Sequence, residues 1–283
     1  MPRPITSKVL YRKGNENFKI GVAHMQGWRS QMEDSHSIIP SLSKHPDIGL
    51  FGVFDGHGGT YCSRYLSENI PIYLNKLKSV HDAPSLTKIC AKLDKKLIST
   101  LEKDRTDEGS TAVFSVVEKS SKDNTYLITV ANVGDSRAIL CRGKDVIPLS
   151  EDHRPHCKTE KDRVLRAGGS VSKDGRVDGI LAVSRAFGDR ILKVPKNSSP
   201  ENQRVSSVPE FRVDKACAGD FLFLACDGIF EGDIYTHESV CEFLRKEMDK
   251  SEDLAKIMGK LLNSCLKLGS KDNMSAMIIL FTD

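Results

Sequence analysis

Ile48-Gly49-Leu50-Phe51-Gly52-Val53-Phe54-Asp55-Gly56-His57-Gly58-Gly59 is the stretch from which the rest of the chain can be read. An uncharged apolar run ends in Asp55-Gly56, the pattern of a buried strand whose last side chain emerges at a sheet edge, where the missing Cβ of glycine lets something approach the backbone. Three more acidic motifs border apolar runs far away in the chain: Met32-Glu33-Asp34, Asp227-Gly228 and Lys271-Asp272-Asn273. If such edges meet, they concentrate negative charge that bound cations neutralise.

Outward from this stretch, strand-like runs dominate. Phe18 to Met25, Ile48 to Phe54, Thr111 to Val117, Tyr126 to Val133, Arg137 to Cys141, Phe221 to Cys226 and Met274 to Phe281 are rich in Val, Ile, Phe and Tyr and are bounded by Gly, Asp or Asn. Gly134-Asp135-Ser136 is expected to turn a hairpin, and Arg142-Gly143-Lys144 another, which implies antiparallel pairing. Residues 83 to 103 place Leu86, Ile89, Leu93, Leu97 and Leu101 on one helical stripe behind Asp82 and Pro84. Residues 252 to 267 repeat the pattern, with Ser251 as expected cap and Gly269 beyond the end. A third helix is expected from about Tyr61 into the seventies, interrupted at Pro71; a fourth from Thr159 to Ala167; a fifth from Thr236. The stretch from Lys193 to Ser207 reads as an exposed loop. With neither internal repeat nor interdomain linker, residues 1 to 283 are expected to form a single domain.

Composition narrows the function. With 42 basic against 38 acidic residues and a formal charge of +4, evenly spread, the chain lacks the footprint of a nucleic-acid binder. Its eight cysteines (62, 90, 141, 157, 217, 226, 241 and 265) include no Cys-x-x-Cys pair, and several lie inside apolar runs, so reduced thiols in a reducing compartment are expected. There is no apolar signal core and no membrane-spanning run, and Pro2 excludes the glycine that myristoylation needs. The sequons Asn197-Ser198-Ser199 and Asn273-Met274-Ser275 are then accidents of composition. The expectation is a soluble monomer in the cytoplasm, with the nucleus as a second compartment, making no contact with nucleic acid or membrane.

The acidic positions share one property: each lies where a strand meets a turn. If those ends face the same way, five or six carboxylates share one cleft with almost no histidine or thiol, a hard-oxygen site for Mg²⁺ or Mn²⁺ rather than zinc. Two such ions about 3.5 to 4 Å apart can acidify a bridging water and clamp a phosphoryl group during in-line attack. Each motif alone is an ordinary turn; their joint occurrence carries the argument.

The chain resembles the protein phosphatase 2C family, the metal-dependent protein serine/threonine phosphatases. The resemblance rests on Gln26-Gly27-Trp28-Arg29-Ser30-Gln31-Met32-Glu33-Asp34, Val53 to Gly59, Gly109-Ser110-Thr111-Ala112, Ala131-Asn132-Val133-Gly134-Asp135-Ser136-Arg137, Leu181 to Asp189, Ala225-Cys226-Asp227-Gly228 and Ser270-Lys271-Asp272-Asn273-Met274-Ser275. It implies an α+β fold, a four-layer α-β-β-α sandwich of two central antiparallel sheets flanked by helices, with a binuclear metal centre at one end. It implies two Mg²⁺ or Mn²⁺ ions per chain. Asp55 would bridge them, Glu33 and the Gly56 carbonyl would hold one, and Asp227 with Asp272 the other. Asp34 and Asn273 would support them by hydrogen bonds, and Asp135 matches the position of a third, weaker ion in some members. It further implies phosphorylated proteins as substrates, attack by a metal-bridging hydroxide, Arg29 as phosphate ligand and His57 as general acid.

Glu231 is a departure, since the family usually shows aspartate there; its longer side chain reaches differently, or Asp233 substitutes. Of the other histidines, His153 reads as part of a structural turn with Pro155, and His36 and the rest as surface. Cys157 followed by Arg163 has the spacing of a cysteine-dependent phosphatase loop, but Glu160 and Asp162 lie where a phosphate dianion would have to sit and no glycine forms an anion nest. A helix start capped by Thr159 explains it better. Two rival readings, a metal-free binding scaffold and a two-metal nuclease, are disfavoured by the complete acidic set and by the lack of a basic stripe.

Overall fold

A computed structural model describes residues 3–196 and 198–283. Pro2 and the sequon residue Asn197 lie outside them. One antiparallel sheet runs in the order β1 (Ile5–Gly14), β2 (Phe18–Gly27), β14 (Met274–Phe281), β13 (Phe221–Ala225), β9 (Arg137–Arg142) and β10 (Asp145–Pro148). The other runs β12 (Glu210–Ala216), β8 (Tyr126–Val133), β7 (Ala112–Lys119), β4 (Ile48–Phe54) and β3 (Ser35–Ile39). A short ladder of β11 (Phe187–Gly188), β6 (Gly109–Ser110) and β5 (Gly56–His57) lies beside the end of the second sheet.

The two sheets pack face to face because their strands are apolar on both sides. Phe51 and Val53 of β4 face the other sheet with Val113, Tyr126, Ile128, Phe18, Ile20, Leu222 and Met277. Leu50 and Phe54, one residue out of phase, face helices α1 (Tyr61–Leu74) and α2 (Ala83–Asp104). Ala23, Met25, Phe223 and Ile278 of the first sheet do the same against α4 (His237–Met248) and α5 (Leu254–Leu268). This is the expected α-β-β-α sandwich. α5 lies directly on the backbone of β2, where a Cβ on Gly21 would overlap Leu254 and Ala255. A small satellite core of Val164, Val177, Val183, Ala186, Leu192 and Val205 sits under α3 (Lys158–Arg166).

The expected strands are all present with little change of ends. The long strands β1 and β12 escape the sequence pattern because they are edge strands whose polar residues face solvent, and β5, β6 and β11 because they are two residues long. The expected hairpin at Gly134-Asp135-Ser136 is not one: β8 pairs with β7 and β12, and β9 pairs with β13 and β10, so the chain there crosses between sheets. Gly143 does turn a true hairpin from β9 to β10. Pro71 does not interrupt α1. Its ring removes the amide that would bond to the Ser67 carbonyl, and the Ser37 hydroxyl replaces that donor at 2.7 Å. The cap of α5 is Asp253, whose side chain accepts from the Lys256 amide, while Ser251 accepts from the Asp253 amide. α3 starts one residue before Thr159, behind Cys157. α4 is capped by Thr236 as expected.

One cysteine pair departs from the expectation of free thiols. β9 passes beneath α4, and Cys141 and Cys241 meet there as a disulfide with Cα atoms 6.8 Å apart. Cys62, Cys90, Cys226 and Cys265 are free and buried.

Candidate metal centre

Strand register gathers the acidic motifs. Ser35 pairs with Phe54, so Glu33-Asp34 at the entrance to β3 lies beside Asp55 at the exit of β4. Val53 pairs with Val113 and Ala112 with Val133, which brings the exit of β8, and with it Asp135, to the same edge. In the other sheet Ala225 pairs with both Ala276 and Arg137, and Met274 with Met25, so Asp227, Asp272 and the segment from Gln26 to Glu33 emerge there too. Antiparallel pairing puts the exit of one strand next to the entrance of its neighbour, and here it does so across both sheets.

A cavity of about 230 Å³ at this end is lined by Arg29, Asp55, Gly56, His57, Asp135, Asp227 and Asp272, with Thr111, Arg176 and Leu181 to Val183 on its walls. A larger hollow of about 950 Å³ at the opposite end is lined by Glu118 to Thr125, with Glu16, Asp47 and Lys215 also on its walls.

The backbone around the acids is fixed from several sides. The Asp55 carbonyl accepts from the Thr111 amide at 2.8 Å, and the Asp55 amide donates to Thr111 Oγ1 at 3.3 Å. A Cβ on Gly56 would overlap the Glu33 carbonyl, which accepts from Ser63 Oγ at 2.5 Å. Asn273 clamps the segment that carries Arg29 and Glu33: its Oδ1 accepts from the Glu33 amide at 2.9 Å, and its Nδ2 donates to the carbonyls of Gln26 at 2.8 Å and Gln31 at 2.9 Å. Glu231 turns away from the cavity and accepts from the Lys271 amide at 2.8 Å, holding the turn that carries Asp272; Asp233 is exposed. The sequence assigned no role to Thr111 or Ser63. Their hydroxyls are ordinary in sequence and become supports only through contact across the fold.

Crowding and burial make these carboxylates hard to ionise. Burial, and after it the charges of Asp272 and Asp227, pushes Asp34 up to about 7. Burial raises Asp55 well above the carboxylate range, reinforced by Asp34, Asp227, Asp272 and Asp135. Asp135 is pushed up to about 8 by burial and Asp227, against the pull of Arg154, and Asp227 to about 6 by burial and Asp272. Both oxygens of Asp34 are buried beside Asp55 without a hydrogen-bond partner in the protein.

The Cys226 thiol completes a cluster with the Asp34 and Asp55 carboxylates, ligand atoms all within 4.8 Å. Burial and those two charges raise its pKa, so it stays a thiol, in contact with the Asn273 carbonyl. The donor set is therefore carboxylate oxygen with orphaned buried charge, which fits hard divalent ions.

Arg29 and His57 flank the acids. Arg29 is half-exposed and pairs with Asp272 at 2.5 Å, which leaves most of its guanidinium donors free. Lys271 stacks over the Trp28 ring beside it at 4.4 Å. His57 Nε2 contacts Asp189 Oδ1 at 2.7 Å. Burial opposes charge on the ring, but Asp189 outweighs it and raises the pKa.

Other readings resolve plainly. His153 is a buried turn residue, its Nδ1 accepting from the Gly134 amide at 3.1 Å. His24 and His36 are not surface residues; they cluster with Tyr11, and burial lowers both pKa values, His36 to about 4. Arg163 is buried against Glu160 at 2.6 Å and the Gln203 carbonyl at 3.2 Å, which excludes it from any loop around Cys157.

A family model described as "Protein phosphatase 2C" matches residues 18–274. The chain belongs to the protein phosphatase 2C family. This makes it, by family, a metal-dependent protein serine/threonine phosphatase. The phosphatase is 36% identical over 295 residues to "Probable protein phosphatase 2C 5" of Paramecium tetraurelia, covering 99% of this chain and 98% of that protein. It superimposes with a TM-score of 0.88, at 30% identity and covering 98% and 96% of the two chains, on the crystal structure of a phosphatase from Toxoplasma gondii. The catalytic domain of the phosphatase PstP, in a complex with 2 manganese ions, shares the fold at 16% identity and a TM-score of 0.63, covering 94% of this chain and 99% of that one. No helix among the described residues of the phosphatase is long and apolar enough to cross a membrane.

Proposed function

We propose that the phosphatase hydrolyses phosphoserine and phosphothreonine in proteins by direct attack of an oxygen derived from water, with no phosphoenzyme. The observation that carries this reading is the meeting of Asp55, Asp135, Asp227 and Asp272 in one cavity with a guanidinium and an imidazole at its wall. Asp55, Glu33 and the Gly56 carbonyl would hold one divalent ion and Asp55, Asp227 and Asp272 a second, with Asp135 available to a third. Bound there, Mg²⁺ or Mn²⁺ supplies Lewis acidity at the phosphoryl oxygens and a nucleophile from water at neutral pH.

The protein's own groups do the rest. Arg29 orients the phosphate, since a planar guanidinium offers two parallel donors to two of its oxygens. Its contact with Asp272 holds it over the cavity beforehand. His57 donates the proton that the departing serine or threonine oxygen requires. Leu181, Ala182 and Val183 form an apolar wall on which a peptide can lie.

The test is turnover of a phosphothreonine peptide. Activity should require added Mn²⁺ or Mg²⁺, vanish with EDTA, and fall at least a thousandfold in Asp227→Asn. Metal-independent activity, or activity abolished by Cys157→Ser, would overturn the reading.

A further inference from the structure

Asp189 stands behind His57, in a backbone conformation that few side chains take. It is a non-glycine residue in the left-handed region, with φ 48° and ψ 52°. Side chains adopt that conformation reluctantly, and such residues persist where the surroundings over-determine them. Its amide donates to the Glu108 carbonyl at 2.8 Å. The preceding Gly188 donates to Asp94 Oδ1 at 2.8 Å, and Asp94 is paired at 3.1 Å with Lys193, whose ammonium also donates to the Ala186 carbonyl at 2.6 Å. Asp94 and Lys193 are both buried, so Asp94 of α2 and its partner Lys193 hold the backbone at Gly188 and just before β11.

What this frame holds is one contact. Asp189 Oδ1 meets His57 Nε2 at 2.7 Å, and the carboxylate is buried with its second oxygen unpartnered. Gly109 lies against the pair, and a Cβ there would overlap both Asp189 Oδ2 and His57 Nε2. A turn with no task beyond connecting β11 to its neighbours could take glycine, asparagine or aspartate at position 189, as Asp178 and Asp233 show elsewhere in the chain. It would not bury a charge against an imidazole.

We infer that Asp189 is the positioning residue of His57: by accepting the Nε2 proton it fixes the ring so that Nδ1 is the atom that faces the substrate. The inference rests on the reading of His57 as proton donor. The two ring nitrogens point in diverging directions, so a carboxylate on Nε2 commits Nδ1 to the opposite side. In the reaction the bond between phosphorus and the serine or threonine oxygen breaks, and its electron pair goes to that oxygen. The Nδ1 proton follows, giving the alcohol, while the water-derived oxygen forms the new bond to phosphorus. His57 is left neutral, still donating Nε2–H to Asp189, and regains its Nδ1 proton from solvent.

A proton donor matters for an alkyl leaving group and hardly at all for a nitrophenolate, which leaves unaided. Turnover of a phosphothreonine peptide and of p-nitrophenyl phosphate is therefore compared, with saturating Mn²⁺, for the wild type, His57→Gln, Asp189→Asn and the double variant. His57→Gln should lose roughly 10²- to 10⁴-fold on the peptide and less than about tenfold on the aryl ester. Asp189→Asn keeps the shape and tolerates the left-handed backbone; it should lose roughly 10- to 100-fold in kcat on the peptide only. In the double variant it should cost nothing further, because a positioning residue has nothing left to position.

Asp189→Gly, which relieves the backbone, serves if the Asn variant does not fold, and should behave alike. Equal losses on both substrates, a full additional loss in the double variant, or no loss on the peptide would each overturn the inference. If His57→Gln shows no leaving-group selectivity, the proton-donor reading falls and this inference with it. If it does and Asp189→Asn does not, this inference alone falls.

Discussion

Replacing Asp55 by asparagine should make the metal-free phosphatase more stable and leave it unable to respond to metal. The Asp34 and Asp55 carboxylates lie within 4.8 Å of each other, and Asp34 has no hydrogen-bond partner to offset its charge. At an effective dielectric constant of about 20, two unit charges at that distance repel by about 3 kcal/mol. Their folded-state pKa values are raised, so this penalty is absent below the unfolded carboxylate pKa of about 4, grows as pH rises above it, and is complete once pH passes the folded values, about 7 for Asp34. For a chain of this size 1 kcal/mol corresponds to roughly 2 °C.

At pH 8 in EDTA, Asp55→Asn should therefore raise Tm by about 4 to 6 °C, and the gain should shrink towards zero only near pH 4. With Mn²⁺ at a hundred times Kd the wild type should gain about 2.7 kcal/mol, again some 5 °C; Asp55→Asn should gain almost nothing. Differential scanning calorimetry with and without Mn²⁺ at both pH values decides the matter. A lower metal-free Tm in the variant at pH 8, or an unchanged Mn²⁺ increment, would refute the picture of Asp55 as a buried charge awaiting a cation.

Because Asp34, Asp135 and Asp227 have raised pKa values, metal binding should displace protons and tighten between pH 6 and pH 8; isothermal titration in two buffers of different ionisation enthalpy measures the protons released, and none released would count against the carboxylate set. Arg29→Lys keeps the charge but loses the planar fork, so KM for a phosphothreonine peptide should rise about tenfold while the Mn²⁺-dependent gain in Tm persists. Ser37→Ala withdraws the hydroxyl that replaces the missing amide at Pro71 and should cost about 1 to 2 kcal/mol in urea unfolding, with m unchanged. Gly21→Ala forces α5 off β2 and should cost about 3 kcal/mol or prevent soluble expression; a neutral result would contradict the close packing of that helix.

Much of this protein was legible in one dimension. Strands such as β4 and β14 are runs of Val, Ile, Leu and Phe buried on both faces, a pattern that survives without knowledge of the partner strand. The stripes of α2 and α5 report their buried faces in the same way. The acids could be placed at strand ends because each lies where such a run meets a turn, whereas the roles of Arg29 and His57 rest on the resemblance to the family. Pro71 misled because the donor that repairs its helix, Ser37, lies on another element. The segment around Gly134 misled because a turn between strands looks the same whether the strands pair or part into different sheets; the partners β7 and β13 decide that, and they are remote in sequence.

The same limit explains Asp189. Local sequence determines which residues end a strand and what charge they carry, since those properties depend on near neighbours and on the alternation of the backbone. Which ends meet, that Asp189 faces His57 across 132 positions of chain, and that buried carboxylates crowd until only a cation relieves them are consequences of register and packing. Those are set by contacts between distant segments and exist only once the chain has folded.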